Sequence, residues 1–324
     1  MPGRNFRQYF LLSLKGIAMG AADVVPGVSG GTIAFISGIY EELIETIHGL
    51  DLGFFKSWKK DGIKAAWSKY NLGFLTALFG GILVSILSLA KAIAWLLEHH
   101  PIAVWSFFFG LILASIIYVG RDIGKWNIPV VVAILLGAII SYMITITEPI
   151  GSPESTWFLF LAGFVAIIAM ILPGISGAFI LLLIGAYTAV IGTVNDFTAA
   201  LGSGDSSAMG SAGLKLTVFA IGAVIGLKVF SGGLNWMFKN YKDLTLAVLT
   251  GFMIGALNKI WPWKQVISYR TNSHGEEVPF LERSVWPADY TGEPKLMLAI
   301  GMTTIGFGIL FAIEFLAASR KSPD

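Results

Sequence analysis

Long apolar stretches, separated by short polar connectors, run through most of the chain. A helix that crosses a membrane needs about 20 mostly apolar residues. The clearest candidates for such helices are Leu72–Leu97, Ile102–Val119, Ile128–Ile146, Leu214–Phe238, Leu244–Ile260 and Leu296–Ala318. Polar and apolar residues do not alternate in the manner of a strand, so we expect no β-structure. The pattern predicts an all-α integral membrane protein.

Shorter apolar segments form two further pairs, and a Pro-Gly dipeptide interrupts each pair. The pairs are Phe10–Val25 with Ser29–Ile47, and Trp157–Leu172 with Ser176–Ile191. Proline breaks a helix, and the following glycine permits backbone conformations that other residues resist. As a helix, Phe10–Val25 would be only about 24 Å long, against a hydrocarbon core of about 30 Å. We therefore expect re-entrant helix pairs, while two full crossings by each pair stay an open alternative.

The two interruptions belong to an internal repeat. The motif Pro26-Gly27-Val28-Ser29-Gly30 returns as Pro173-Gly174-Ile175-Ser176-Gly177, and Gly-x-Tyr follows each copy after seven residues. Matching positions further along are Gly81, Trp95 and Gly110 in the first half and Gly222, Trp236 and Gly251 in the second. We therefore expect a single transmembrane domain of two repeats, residues 1–150 and 151–324, with five hydrophobic segments in each.

The basic residues indicate how the two halves are oriented. Because five is an odd number, the second half must enter the membrane from the side opposite to the first. With the N-terminus in the cytoplasm, the three short predicted outer loops, 98–101, 148–156 and 192–213, contain no Lys or Arg, whereas connector 48–71 contains five Lys. The long predicted outer loop 261–294 contains three Lys or Arg, but long loops follow the charge rule less strictly. Positive residues favour the cytoplasmic side of a membrane. The sequence thus predicts an inverted-topology repeat with both termini in the cytoplasm.

Composition narrows the range of functions. The chain is 55% hydrophobic and 13% charged, with a mean hydropathy of +0.75, whereas soluble domains average about 25% charged residues. A net charge of +2 without a basic stripe argues against nucleic acid as a partner, and the lack of Cys excludes thiolate sites. The four His do not lie at metal-ligand spacing from carboxylates, and no Gly-Lys-Ser/Thr phosphate loop is present. We expect no metal, no cofactor and no enzymatic activity.

The Pro-Gly-x-Ser-Gly turns form the candidate binding site. Ser29 and Ser176 suit the N-cap positions of the helices that begin near Gly30 and Gly177. Backbone N–H groups at a helix N-terminus attract anions. Paired broken helices in two inverted halves are typical of a transporter site near the bilayer midplane. The alternative is that Pro and Gly only permit a kink or close helix packing.

The two turns differ in the residues that follow the motif. In the first copy, Gly30, Gly31 and Thr32 would let a ligand approach the backbone and would add a hydroxyl group. In the second copy, Ala178 and Phe179 replace the last two of these residues. We therefore expect the first turn to be the more polar and the more open.

Ionisable residues inside membrane segments usually face a cavity or a partner. Lys228 lies near the middle of a predicted span, where it is too central to reach the interface easily, although a snorkelling role stays open. Asp23, close to the first turn, is a candidate for binding a cation, carrying a proton or forming a local cap or salt bridge. Lys15 could contact a phosphate or serve as an interfacial anchor.

The stretch Gly16–Thr32, continued by Gly38-Ile39-Tyr40, resembles the signature of the bacterial polyprenyl-phosphate translocase family. The residues from Pro173 to Tyr187 resemble its second signature, and the likeness covers nearly the whole chain. The resemblance implies a protein of the bacterial cytoplasmic (inner) membrane. It also implies the return of undecaprenyl phosphate, the lipid carrier of cell-wall precursors, from the outer to the cytoplasmic leaflet.

We combine the resemblance and the residue pattern into one hypothesis about the site. The expected phosphate contacts are Ser29, Gly30, Gly31, Thr32, Ser176, Gly177, Lys228 and Lys15. Asp23 would be a coupling or gating residue, and coupling to a proton or sodium gradient stays open. The helix breaks would be Pro26, Gly27, Pro173 and Gly174. A transporter or channel for a small anion is the alternative, followed by a membrane-embedded enzyme that acts on a lipid phosphate.

Overall fold

The computed structural model describes residues 4–25, 28–51, 53–147, 155–271 and 277–318. Helices account for most of these residues, in agreement with the predicted helical membrane protein. The helices of residues 1–150 are α1 (Phe6–Val24), α2 (Gly30–Ile36), α3 (Tyr40–Gly49), α4 (Gly53–Asp61), α5 (Ile63–Lys69), α6 (Leu72–His99), α7 (Pro101–Arg121) and α8 (Ile128–Ile146). The helices that follow are α9 (Thr156–Ile171), α10 (Gly177–Leu183), α11 (Tyr187–Ser203), α12 (Ser206–Asn240), α13 (Lys242–Ala256) and α14 (Leu296–Ala318).

Several of these helices are long and apolar enough to cross a membrane. Within the described residues, four meet this condition singly, namely α6, α7, α8 and α12, and the bent pair α10–α11 meets it as a unit. The protein is therefore a multi-pass membrane protein. The predicted span Leu244–Ile260 is too long, because α13 ends at Ala256 and the chain turns there. The Asn258 carbonyl in that turn accepts a hydrogen bond from the Ser284 hydroxyl (2.9 Å).

Each repeat contains a second helix break that the sequence interpretation treated as continuous helix. The predicted segment Ser29–Ile47 is two helices, α2 and α3, separated at Gly38, whose φ is +70°. The corresponding break between α10 and α11 lies at Gly185, with φ of +74°, and bends the chain by 109°. Because glycine enters this left-handed region at little cost, it is the usual residue just after a helix end. The repeated Gly-x-Tyr therefore marks a break in both halves.

The expectation of no β-structure is wrong for the long connector before α14. Strands β1 (Lys264–Thr271) and β2 (Glu277–Ser284) form an antiparallel hairpin, with Lys264 opposite Ser284. The hairpin adjoins a small apolar cluster of Ile102, Trp263 and Ala299. The apolar residues of β1 form a run too short to stand out beside the membrane segments, so the connector was interpreted as a loop.

Helices pair closely where glycines remove the side chain from a crossing. In α1 and α6, Gly16 lies against the backbone of Leu78, and Gly81 lies against that of Ser13. The matching positions of the second half, Gly163 in α9 and Gly222 in α12, lie against α12 and α9 in the same way. Similar crossings join α7 to α14 and α8 to α13. The pairing follows the sequence repeat, while the opposite orientation of the halves in the membrane stays a prediction.

Candidate functional site

The first turn is closed by its own side chains. Pro26 and Gly27 lie outside the described residues, but Val25 has the extended backbone that a following proline favours. Ser29 is the N-cap of α2, and its Oγ accepts a hydrogen bond from the Gly31 N–H (3.1 Å). The Asp23 carboxylate accepts a second bond, from the Gly30 N–H (2.6 Å). Two backbone donors that a ligand was expected to meet are thus already occupied.

Two charged residues of α1 bracket the short helix α2. Asp23 lies at its N-terminus, and the Lys15 Nζ donates a hydrogen bond to the Ser37 carbonyl just after its C-terminus (2.6 Å). Negative charge at the N-terminus and positive charge at the C-terminus both complement the helix dipole. These contacts hold α2 folded back along α1. Lys15, predicted as a phosphate contact or an anchor, has a local structural partner here.

The second turn has the same path but lacks these charges. Leu172 is extended ahead of Pro173, and Gly174 adopts a φ of +85°. Ser176 precedes α10, which begins at Gly177, but its side chain makes no capping hydrogen bond within the described residues. At the repeat positions of Lys15 and Asp23, the second half has Ala162 and Met170. The predicted break at Pro173 and Gly174 is therefore present, without the polar cap of the first copy.

The two turns contact each other across the repeats. The Thr32 Oγ1 accepts a hydrogen bond from the Gly174 N–H (2.9 Å). The Ser29 hydroxyl donates to the Met170 carbonyl (2.9 Å) at the C-terminal end of α9. Ser29 and Thr32 are fully or almost fully buried, at 1% and 0% exposure. The expectation that the first turn is the more open is therefore wrong, because Gly31 gives the C-terminal end of α9 room to approach, while Gly30 leaves room for the Asp23 carboxylate.

A cavity of about 640 Å³ lies beside the first turn. Residues of α1, α2, α3, α6, α9 and α12 line it, so both repeats contribute. Its walls are mostly apolar, and the charged side chains among the described lining residues are Asp23, Asp51 and Lys228. Gly31 is the part of the first turn that reaches it. This volume lies within the usual range of small-molecule sites, which are likewise mostly apolar with a few placed polar groups.

Lys228 reaches the cavity from α12 and caps α3. Its Nζ donates hydrogen bonds to the carbonyls of His48 (2.7 Å), Ile47 (3.2 Å) and Leu50. A cation at a helix C-terminus satisfies carbonyls that have no partner within the helix. The ammonium is therefore held at the cavity wall, at the C-terminal end of α3. Its role as a phosphate contact stays a prediction.

Asp51 is a site residue that the sequence interpretation missed. Its carboxylate accepts hydrogen bonds from the Tyr70 hydroxyl (2.9 Å) and the Gly53 N–H (2.8 Å). The Tyr70 hydrogen bond, more than the nearby charges of Lys228 and Lys69, lowers the pKa of Asp51. A single Asp in a polar connector gives no pattern that separates it from ordinary surface charge. Only the fold brings it to the cavity.

The structure brings some of the predicted site residues together and separates others. Ser29, Gly30, Gly31 and Thr32 meet the second turn, whereas Lys228 meets the end of α3. No group of three or more His, Asp or Glu suited to a metal ion occurs within the described ranges. Together, the fold and this site define a multi-pass membrane protein with an apolar chamber between two sets of broken helices.

Comparison with known proteins gives the family. The family model described as "VCA0040-like: Undecaprenyl phosphate translocase-like" matches residues 19–278, and this chain belongs to that family. A relative from Vibrio cholerae serotype O1, named "Polyprenyl-phosphate transporter", is 45% identical over 97% of this chain and 98% of its own length. A relative of the same name from Staphylococcus aureus is 31% identical over 77% of this chain and 85% of its own. Both names are those of transporters, not enzymes. No solved structure matches the chain.

Proposed function

We propose that this protein carries undecaprenyl phosphate across the bacterial cytoplasmic membrane, from the outer to the cytoplasmic leaflet. The observation that carries the proposal is the apolar cavity with an ammonium group in its wall. A polyprenyl phosphate combines a long apolar chain with a single anionic head. The cavity offers both matching environments, and the names of the two relatives point to the same class of lipid.

Lys228 is the first contact that we assign to the phosphate. Its present partners are neutral carbonyl oxygens, and a phosphate oxygen would be a stronger acceptor because the hydrogen bond is then charge-assisted on both sides. The neighbouring Asp51 would repel a phosphate that bound too close to the end of α3. The head would therefore lie on the inner side of Lys228, toward Gly31 and the first turn.

The turns would contact the phosphate in a second step. Ser29, Gly30 and Thr32 now make hydrogen bonds that hold the turns closed, Ser176 lies buried beside them, and Gly177 is partly buried. In our proposal, protonation of Asp23 or binding of a cation to it releases the Gly30 N–H for the phosphate. Such a step would couple transport to a proton or sodium gradient. Lys15 would act from the other end of α2 by holding that helix in place.

The inverted repeat supplies a route by which one site could serve both leaflets. In this proposal the two broken-helix units are re-entrant and meet near the midplane, with residues 1–150 and 151–324 in opposite orientations. The contact between Thr32 and Gly174 supports such a meeting point, and so does the equivalent pairing of α1 with α6 and α9 with α12. Separation of the turns toward one side or the other would expose the head group alternately.

Transport by the purified protein in liposomes tests the proposal directly. Labelled undecaprenyl phosphate is placed in one leaflet, and its exchange is followed with and without a proton or sodium gradient. We expect Lys228→Ala to abolish the exchange and Lys215→Ala, an exposed lysine of the same helix, to preserve it. Equal exchange by both variants would remove Lys228 from the site. Equal exchange by wild-type protein and empty liposomes would refute the transport function itself.

The alternatives predict different outcomes in the same vesicles. A small-anion transporter would carry inorganic phosphate or chloride, and a lipid-phosphate enzyme would release inorganic phosphate from the labelled lipid. The mostly apolar lining of the cavity argues against the first, because a small anion would leave those walls without a partner, whereas a polyprenyl chain would fill them.

A further inference from the structure

Two short helices lie between α3 and α6 in the chain, and none of their described residues lines the cavity. Helix α4 and helix α5 are joined at Gly62, whose φ of +83° allows a sharp change of direction. They follow the cavity residue Asp51 and end three residues before α6, one of the helices that can cross the membrane. Their position in the chain therefore restricts them to the level of the membrane surface.

Helix α4 has one apolar and one basic side, and α5 has an apolar side with a lysine on either flank. At 100° per residue, Phe54, Phe55 and Trp58 lie on one side of α4, whereas Lys56, Lys59 and Lys60 lie on the other. The same rule places Ile63 and Trp67 about 40° apart on α5, with Lys64 about 60° from Trp67 on one flank and Lys69 about 120° from Ile63 on the other. The protein itself does not cover the apolar sides, since Trp58 is 47% and Ile63 is 50% exposed.

The pair is fixed beside the cavity by its own hydrogen bonds. Asp51 accepts from the Gly53 N–H at the start of α4 and from the Tyr70 hydroxyl just after α5. The Lys69 Nζ donates to the Ser57 hydroxyl (2.9 Å) and so links the two helices. Both ends of the pair thus meet at one residue that lines the cavity. Any lipid held by α4 and α5 would lie next to the cavity entrance.

We propose that α4 and α5 form a binding surface for anionic phospholipids at the edge of the cavity. Their exposed aromatic residues would lie at the boundary between headgroups and acyl chains, which is where Trp side chains are most stable. Their lysines would then face the phosphate layer, where each contributes attraction to anionic lipid. The surface collects anionic headgroups around the entrance. The inference concerns ordinary membrane lipid and does not depend on the transported molecule.

Quenching of tryptophan fluorescence by brominated lipids tests this surface in the full-length protein. The protein is reconstituted in phosphatidylcholine bilayers that contain brominated phosphatidylglycerol or brominated phosphatidylcholine. Subtracting the signal of a Trp58→Phe/Trp67→Phe variant isolates these two side chains. We expect both lipids to quench them and phosphatidylglycerol to do so with a higher apparent affinity. High salt should remove that difference.

Charge variants test whether the preference for phosphatidylglycerol comes from the lysines of α4 and α5 or from the net charge of the protein. We expect Lys56→Gln/Lys59→Gln/Lys60→Gln to reduce the preference for phosphatidylglycerol by about fivefold per lysine, while quenching by phosphatidylcholine persists. The matched variant Lys91→Gln/Lys125→Gln/Lys215→Gln removes three exposed lysines elsewhere and should keep the preference. Equal losses in the two variants, or no preference in the wild-type protein, would overturn the inference. So would the absence of quenching by either lipid.

Discussion

The hydrogen bond between the two turns allows a quantitative test of how tightly the repeats are held together. Thr32→Val keeps the shape of the side chain but removes the acceptor of the Gly174 N–H. Thr32 and Gly174 are buried, so no water is expected to replace the lost partner. An unsatisfied buried donor costs about 1–3 kcal/mol. The unpaired Gly174 N–H bears this cost while the turns are in contact and regains water when they separate. The population of the separated state should therefore increase about 5- to 150-fold.

Amide hydrogen exchange of the segment that contains Gly174 measures this separation. We expect the exchange of Gly174 to accelerate by that factor in Thr32→Val. The matched control is Thr245→Val, because among the described residues the buried Thr245 hydroxyl donates to the Tyr241 carbonyl of its own helical turn. That variant should leave Gly174 unchanged. Unchanged exchange in Thr32→Val as well would show that the bond does not hold the turns together.

Three further predictions address the coupling residue, a helix crossing and the hairpin. Asp23→Asn keeps an oxygen that can accept the hydrogen bond from the Gly30 N–H, so the protein should fold. The variant removes the charge, so lipid exchange should no longer depend on an ion gradient. Retained dependence would exclude Asp23 as the coupling group. Gly222→Ala should lower stability by roughly 1–3 kcal/mol in thermal unfolding, because its Cβ would meet the Phe160 backbone, whereas Gly210→Ala on the same helix should not. Burial lowers the pKa of Lys264 from 10.5 to about 7. Between these pH values the unfolded chain binds one more proton than the folded protein, so the free energy of unfolding should rise with pH. Lys264→Met should flatten this rise, measured as the melting temperature against pH.

Features that repeat along the chain were the ones that could be predicted from sequence. The helix break at Pro173 and most of the long spans follow from local composition. The repeat matches Gly81 with Gly222 but does not by itself predict that they lie at the α1–α6 and α9–α12 crossings. The second break at Gly38 and Gly185 was missed, although its signal was present. Gly-x-Tyr was recognised as part of the repeat but was not interpreted as a helix end. The β-hairpin left only a short and weakly alternating pattern.

The partners of the polar residues were beyond prediction, because they are mostly backbone atoms distant in sequence. Lys228 was identified from its position within a span, but its partners are carbonyls at the end of α3, about 180 positions earlier. Thr32 was expected to face a ligand and instead accepts from Gly174 of the other repeat. A sequence pattern indicates that a buried polar group needs a partner. It does not indicate which carbonyl or N–H the fold will supply.

The difference between the two turns bears on how transport would be driven. Only the first turn has a carboxylate at the N-terminus of its short helix and a lysine at the C-terminus, since the second half has Met170 and Ala162 at those positions. A change of charge on Asp23 would therefore act directly on α2 and would reach α10 indirectly, through the contact between Thr32 and Gly174. A carrier built from two equal turns would respond at both ends. In this protein the response to a cation is expected in the first repeat. We therefore expect a sodium or proton gradient to change amide hydrogen exchange more in α2 than in α10.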